Sequence, residues 1–451
     1  MSAHFERPQP GAPTAVRFPP LSRDQLGNGL NVLVIRQSSV PMTTAILIVH
    51  AGTAHDPETL PGLASLTADL LDEGAGQLDA IALADALAQR GSHVAVEAGT
   101  DAIHLTLTSL SRELEPSLSI VADIVARPHM GTDALARVRE LRLNRLRQFS
   151  RSPQSAADRA FAGVVFRGHP YGHGALGTTA SLETLTLDDA RRFWIRHGGP
   201  ANATLVVAGD LAASEVIAIT KRAFGSWSSE AKPTSPAPAT LPPADARLFL
   251  VDRPGAPQSE LRLGHLGPAR RTGAYHALVT LNAILGGQFT SRINRNLREE
   301  KAITYGAQSS FDFRRAAGAF SVDASVQADA TAMAVKEILR ECERIREPGD
   351  VLAGELARGQ ASLTRGYVRN FETAAQLARA AAQLVIYGLP HDAFDTFVPS
   401  IEAIDGDALT RAAREHLQPD GTSIIVVGDA AQLRSSLEAV GREIVPTSPE
   451  F

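Results

Sequence analysis

Thr204-Leu-Val-Val-Ala-Gly-Asp210 and Ser423-Ile-Ile-Val-Val-Gly-Asp429 read as one element written twice, 219 positions apart in a chain of 451 residues. Each is a short run of β-branched and aliphatic residues that ends in Gly-Asp and leads into a helical pattern, as a buried strand stopped by a turn does. The register continues upstream without a gap, pairing Asp188 with Asp407, Arg192 with Arg411 and His197 with His416. Two more pairs follow in the same order. Ala45-Ile-Leu-Ile-Val-His-Ala-Gly52 matches Glu260-Leu-Arg-Leu-Gly-His-Leu-Gly267 at an offset of 215, and Ile103-His-Leu-Thr-Leu107 matches Phe320-Ser-Val-Asp-Ala324 at 217. One apolar strand resembles another by chance, but three ordered pairs with slowly drifting offsets point to an internal duplication.

A composition change separates the copies. The stretch 229–245 carries Pro233, Pro236, Pro238, Pro242 and Pro243; proline removes donors and disfavours helix in the residue before it, so this stretch reads as an extended linker. The expected organisation is an N-terminal extension at 1–20, a first domain at 21–228, the linker at 229–245 and a second domain at 246–447. In the first copy, strands at Asn28–Arg36 and Ala45–Val49 follow one another without a helical crossover, which predicts a hairpin pairing. Helices follow at Gly62–Leu71, Leu78–Gln89, Asp133–Phe149 and Thr186–Arg196. The fold class is α+β: two homologous domains, each a mostly antiparallel sheet covered on one face by helices.

Composition narrows the function. The 44 Lys and Arg against 49 Asp and Glu leave a net charge of −5 over the whole length, without the concentrated basic charge that nucleic acid or an anionic membrane selects. A single cysteine, Cys342, excludes an internal disulfide framework and a Cys-based zinc site. No apolar run approaches the ~20 residues of a membrane helix, and the Pro-rich first twenty residues lack the apolar stretch of a signal peptide. Phosphate-loop, dinucleotide and nucleophile-elbow motifs are absent. His169-Pro-Tyr-Gly-His173 has two histidines at the helical spacing of zinc ligands, but Pro170 and Gly172 make a helix improbable, so it reads as a structural loop. His50, His55 and His265 read as core or surface histidines.

Three stretches together resemble the M16 family of zinc metallopeptidases, in its half-length M16B branch: HAGTAHDPETLPGLASLTADLLDEGAG at 50–76, FAGVVFRGHPYGHGALGT at 161–178, and LGGQFTSRINRNLREEKAITYGAQSSF at 285–311. The resemblance covers about residues 22–440 and implies two homologous α+β domains. It also implies an inverted HxxEH zinc motif on the helix after the first Gly-rich turn, and here the chain departs from it. The ligand positions fall on Ser65 and Asp69 and the general-base position on Ala68. The distal Glu ligand is expected around 140–147, where Glu140 is the one acid and sits early. Two imidazoles and the base are missing, and an alanine cannot move a proton.

The third stretch keeps its pattern. By the resemblance, Arg298, expected at the end of a helix over Thr290–Glu299, and Tyr305, opening the next strand, match a pair that faces the zinc across a closed cavity. A guanidinium fork and a phenol can both donate to a substrate carbonyl or a developing oxyanion. Pairing of Arg298 with Glu299 or Glu300, and Tyr305 as a strand cap, are the bland alternatives. The resemblance therefore implies a non-zinc subunit of a heterodimeric peptidase, inactive alone, with the zinc in an HxxEH-bearing M16B partner of similar length and a peptide as substrate. An inert scaffold subunit and a homodimeric peptide-binding module are the competing readings. The resemblance to secreted bacterial proteins favours a periplasmic over a cytoplasmic location.

Overall fold

A computed structural model of the chain describes residues 15–234 and 240–448. Parts of the expected extension and linker lie outside these, and the described linker residues form neither helix nor strand. The first copy builds a six-stranded sheet from β1 (Leu21–Gln25), β2 (Asn31–Arg36), β3 (Met42–Val49), β4 (His93–Ala98), β5 (Ile103–Leu110) and β6 (Ala203–Gly209), in the order β1-β2-β6-β3-β5-β4. The second builds another from β7 (Leu248–Asp252), β8 (Gln258–Gly267), β9 (Thr304–Asp312), β10 (Gly318–Gln327), β11 (Ser423–Gly428) and β12 (Ile444–Pro446), in the order β9-β10-β8-β11-β7-β12.

The duplication is visible strand by strand. The three sequence pairs occupy equivalent places: β6 with β11, β3 with β8, β5 with β10. In each sheet the β6-type strand runs parallel to its neighbour on one side (β2 or β7) and antiparallel to the other (β3 or β8). The preceding helices, Leu187–His197 and Gly406–His416, are in the same register. The outermost strand breaks the symmetry, since β1 is antiparallel to β2 whereas β12 is parallel to β7. The expected β2–β3 hairpin is corrected, because β6 lies between them. All seven residues of β6 are buried, so this run belongs at the centre of a sheet with a partner on both sides.

Helices label the layers: α1 (Leu63–Leu71), α2 (Thr132–Arg151), α3 (Pro153–Val165), α4 (Tyr275–Leu285) and α5 (Ala374–Tyr387). The helix expected at Leu78–Gln89 is Ala80–Ala88, capped by Asp79. In the first sheet, alternate residues point to two faces. Val32, Val34, Leu47, Leu205 and Val207 pack beneath α1 and its neighbours. Leu33, Ile35, Ile46, Ile48 and Val206 pack instead against Leu377, Ala378, Ala381 and Leu384 of α5, which belongs to the second copy. The exchange is reciprocal: Ala156, Ala157 and Ala160 of α3 pack on Phe249, Val251, Ile425 and Val427 of the second sheet. Helices on one face only, as expected, is therefore corrected; the second face of each sheet is closed by the other copy.

Polar contacts fasten this junction. Arg262 Nε on β8 donates to Asp158 of α3 at 2.7 Å, and Gln154 donates to Glu260 at 2.7 Å. The Tyr171 hydroxyl donates to Asp101 at 2.7 Å and accepts from the Ala316 backbone N–H at 3.2 Å, while Arg315 N–H donates to Asp101. Among the described residues, no helix is long and apolar enough to cross a membrane.

Candidate functional site

The start of α1 is built on a close backbone approach. Gly62 has φ of 92° and Gly177 has φ of 79°, and a Cβ on Gly62 would stand 2.7 Å from the Gly177 Cα. Only glycine permits both the left-handed conformation and the contact, which brings the 161–178 stretch against the helix expected to carry the zinc motif. Asp56 caps that helix, accepting from Gly62 and Ala64 N–H at 2.7 Å each. Burial pushes the Asp56 carboxyl up to about 7, with these hydrogen bonds opposing.

Ser65, Ala68 and Asp69 lie on α1 as expected, and between Ser65 and Asp69 sits a side chain that sequence reasoning missed. Arg142 of α2, 1% exposed, directs Nη1 to Asp69 Oδ2 (2.6 Å) and to Ser65 Oγ (3.0 Å). Its Nη2 donates to Ser65 Oγ (3.0 Å) and to the Ala175 carbonyl (3.1 Å). Burial lowers the guanidinium's pKa and Asp69 opposes that shift. Glu140, the expected candidate for a distal ligand, is exposed; two residues along an α-helix are turned about 200°, so Arg142 faces inward where Glu140 faces out. A signal was present in the sequence. The buried stripe of α2 runs Ala134, Leu135, Val138, Arg142, Leu146, and an arginine on the apolar stripe of a helix calls for a buried acid opposite.

These residues do not fit zinc. The two ligand positions present one hydroxyl and one carboxylate, already engaged by a cation, and Ala68 offers no base. His169 and His173 do not supply the deficit. Pro170–Gly172 is a short 3₁₀ turn, His169 Nδ1 accepts from Tyr171 N–H at 3.1 Å, and His173 Nε2 lies 3.1 Å from the Thr53 carbonyl. The loop reading is right, and its work is the Tyr171 contact between the two copies.

The other predicted pair lies in the second copy, on irregular backbone. The helix expected over Thr290–Glu299 is corrected to a single α-turn, Arg292–Asn294, followed by a π-helix, Arg295–Glu300, closed by the Lys301 N–H on the Asn296 carbonyl at 3.1 Å. Ala302 follows with φ of 54°, a left-handed conformation unfavourable for alanine. Then β9 bulges: Thr304 pairs with Val326 and Ala307 with Ala324, so three steps on β9 match two on β10. The extra residue falls at Tyr305-Gly306 and leaves the Tyr305 side chain 93% exposed. π-turns and bulges of this kind re-aim side chains and collect at functional positions.

The inner side of the segment is firmly held. Arg292, 5% exposed, is paired with Asp350 and with Glu355 (2.7 Å). Asn294 donates to the Phe289 carbonyl at 2.6 Å and accepts from Ala307 N–H at 3.2 Å. Asn296 donates to Glu337 and Glu341 at 2.9 Å each. Outward, the Arg298 guanidinium lies 3.9 Å over the Phe289 ring, a cation–π contact. Neither Glu299 nor Glu300 forms a described ion pair with Arg298; Glu300 pairs with Arg295. Arg298 and Tyr305 line one open cavity of about 380 Å³ together with Gly287, Phe289, Asn294 and Gly306. Gly286 ends α4 and also allows a close approach, since a Cβ there would meet Ser309 at 2.5 Å. The arrangement offers a flat cation and a phenol on an aromatic floor, able to donate to oxygens of a bound chain.

Comparison with known proteins gives the family and the fold. Residues 31–179 match the profile of the insulinase family, peptidase family M16, and residues 184–363 match the peptidase M16 inactive domain. An uncharacterised zinc protease of Mycobacterium tuberculosis (strain H37Rv) is 24% identical over 432 residues, covering 95% of this chain and 97% of its own. One from Streptomyces coelicolor is 23% identical, covering 88% and 87%. Among solved structures, a peptidase M16 inactive domain from Pseudomonas fluorescens has a TM-score of 0.83 at 26% identity, covering 91% of this chain and 98% of that one. A Helicobacter pylori protease shares the fold, with a TM-score of 0.84 at 20% identity, covering 91% and 100%. The chain belongs to the M16 peptidase family.

Proposed function

We propose that this chain is the non-zinc subunit of a heterodimeric M16B peptidase. Arg298 and Tyr305 hold and polarise the substrate peptide in the active site of an HxxEH-bearing partner of similar length. The partner's zinc supplies the activated water; this chain supplies two donors to the scissile carbonyl. The single observation that carries the reading is the π-turn and bulge that bring the half-buried Arg298 and the exposed Tyr305 onto one cavity, in a chain whose own metal position offers no ligand set. The relatives' names as zinc proteases support peptide hydrolysis as the chemistry of the complex.

The test starts with a tagged chain recovered from its source cell, and the expected companion is a similar-length chain bearing HxxEH. In the purified complex, Arg298→Ala and Tyr305→Phe are expected to lower kcat/KM for an unfolded peptide, the arginine by on the order of 100-fold, as for loss of one oxyanion donor. Zinc content is expected at one ion per heterodimer. An unchanged kcat/KM in both variants overturns the role and assigns the chain to scaffolding. A homodimer without an HxxEH chain overturns the heterodimer.

A further inference from the structure

We infer that Arg142 is a protein-supplied cation that takes over the metal's work in this copy of the fold, tying α1 to α2 and excluding zinc. The inference does not depend on the heterodimer reading and stands or falls separately.

The geometry carries it. A zinc ion bound as the family resemblance implies would be gripped by two side chains one turn apart on α1 and by an acid from the region of α2, cross-linking the helices. The guanidinium of Arg142 makes the same cross-link with the polarity reversed: the cation now grows from α2, and the acceptors are Ser65 and Asp69, at the two ligand positions. Its fourth contact, to the Ala175 carbonyl, ties in the 161–178 stretch as well. Shortening two imidazoles to a hydroxyl and a carboxylate vacates the volume that a planar fork needs, and Ala68, fully buried, leaves nothing to clash with it. The Asp69 carboxylate meets the guanidinium's charge, with Asp56 also favouring the cation and Arg145 opposing it, so charge is compensated without a dication, while Arg142 Nε has no hydrogen-bond partner among the described residues. A zinc ion arriving there would meet a fixed positive charge already bound to the one carboxylate, and an arginine cannot give up its proton to become a ligand. The site has therefore been rebuilt around another cation, and a loss of ligands alone does not describe it.

Two experiments on the isolated full chain test this. In the first, the motif is restored by Ser65→His, Ala68→Glu and Asp69→His, with and without Arg142→Glu. Zinc content is measured after dialysis against micromolar zinc, on variants with the native far-UV circular dichroism. The triple variant is expected to retain no stoichiometric zinc, and the quadruple variant about one ion per chain, as a restored His/His/Glu site does. Equal uptake by both, or refusal by both, overturns the exclusion. In the second, the chain is otherwise native and no refolded metal site is needed. Arg142→Met is expected to lower Tm by several degrees, Arg142→Lys to recover only part of it, because an ammonium cannot reproduce the planar fork, and neither zinc nor a chelator to move the native Tm. Native-like melting of Arg142→Met, or a zinc-dependent rise in the native Tm, overturns the tether.

Discussion

Replacing Leu377 by alanine probes the exchange of helices between the copies, and the outcome is read by the half of the chain in which Leu377 does not lie. Leu377 belongs to α5, sequence of the second copy, yet it is fully buried against Ile46, Ile48 and Val206 of the first sheet. Truncating a fully buried leucine removes its transfer free energy and leaves a cavity, about 2–5 kcal/mol in all; a site between a helix and a sheet from distant sequence collapses poorly, so about 3 kcal/mol is the working figure. For a unit of some 200 residues that corresponds to a Tm loss of roughly 6–12 °C. The chain has two tryptophans, and both Trp194 and Trp227 are buried in the first copy's core. Tryptophan fluorescence therefore follows the first copy, whereas far-UV circular dichroism follows both. Leu281→Ala in α4 is the matched control, equally buried but inside the second core. Leu377→Ala is expected to lower the fluorescence midpoint by its full amount. If its fluorescence midpoint stays native while the dichroism midpoint falls, α5 does not support the first sheet and the account of the junction is wrong.

Three further outcomes are expected. Burial holds His197, 6% exposed, down at about 4, and His50 likewise. Both are neutral when folded and would protonate near 6.5 when unfolded, so the stability they support is present above pH 6.5 and drains away as the pH falls toward 4, by on the order of 3 kcal/mol for His197. Asp56, raised to about 7, acts in the opposite sense over the same range, so His197→Asn should flatten the acid limb of a urea-midpoint profile and Asp56→Asn steepen it; unchanged limbs contradict the assignment. Gly62→Ala places a Cβ against the Gly177 backbone at φ of 92° and should cost about 2 kcal/mol or more in urea denaturation, whereas a loss under ~0.5 kcal/mol, the ordinary surface value, contradicts the close approach. Asn294→Leu leaves the Phe289 carbonyl and the Ala307 N–H without their partner and is expected to cost about 1–3 kcal/mol; a native-like urea midpoint would show that Asn294 does not tether the two sides of the Arg298 cavity.

How far the molecule could be read from its residues depended on whether the signal was local or spatial. The duplication was legible because buried strands keep their apolar run and their Gly-Asp stop, so Thr204–Asp210 and Ser423–Asp429 announce one another and occupy matching places in the two sheets. What no strand announces is its neighbour. β2 and β3 are consecutive, and only the wholly buried character of β6 hints that it must lie between them. The exchange of α3 and α5 was illegible for the same reason: an alanine-rich face such as Ala156, Ala157 and Ala160 says that something packs closely, without saying that it is the other copy's sheet. At the site the division repeats. Ser65, Ala68 and Asp69 are readable as departures from a motif, since motifs are local. Arg142 lies 73 residues from Asp69 and is not local to any motif; it is noticeable only as a charge out of phase with its own helix. Arg298 and Tyr305 were picked out by the family resemblance, whereas the irregular backbone that carries them was not. A π-helical stretch, a left-handed alanine and a bulge are each a local departure from regular backbone, and periodicity arguments pass over such departures. The candidate residues were therefore easier to name than the backbone that carries them, because a motif is written in consecutive residues and a local departure from regular backbone is not.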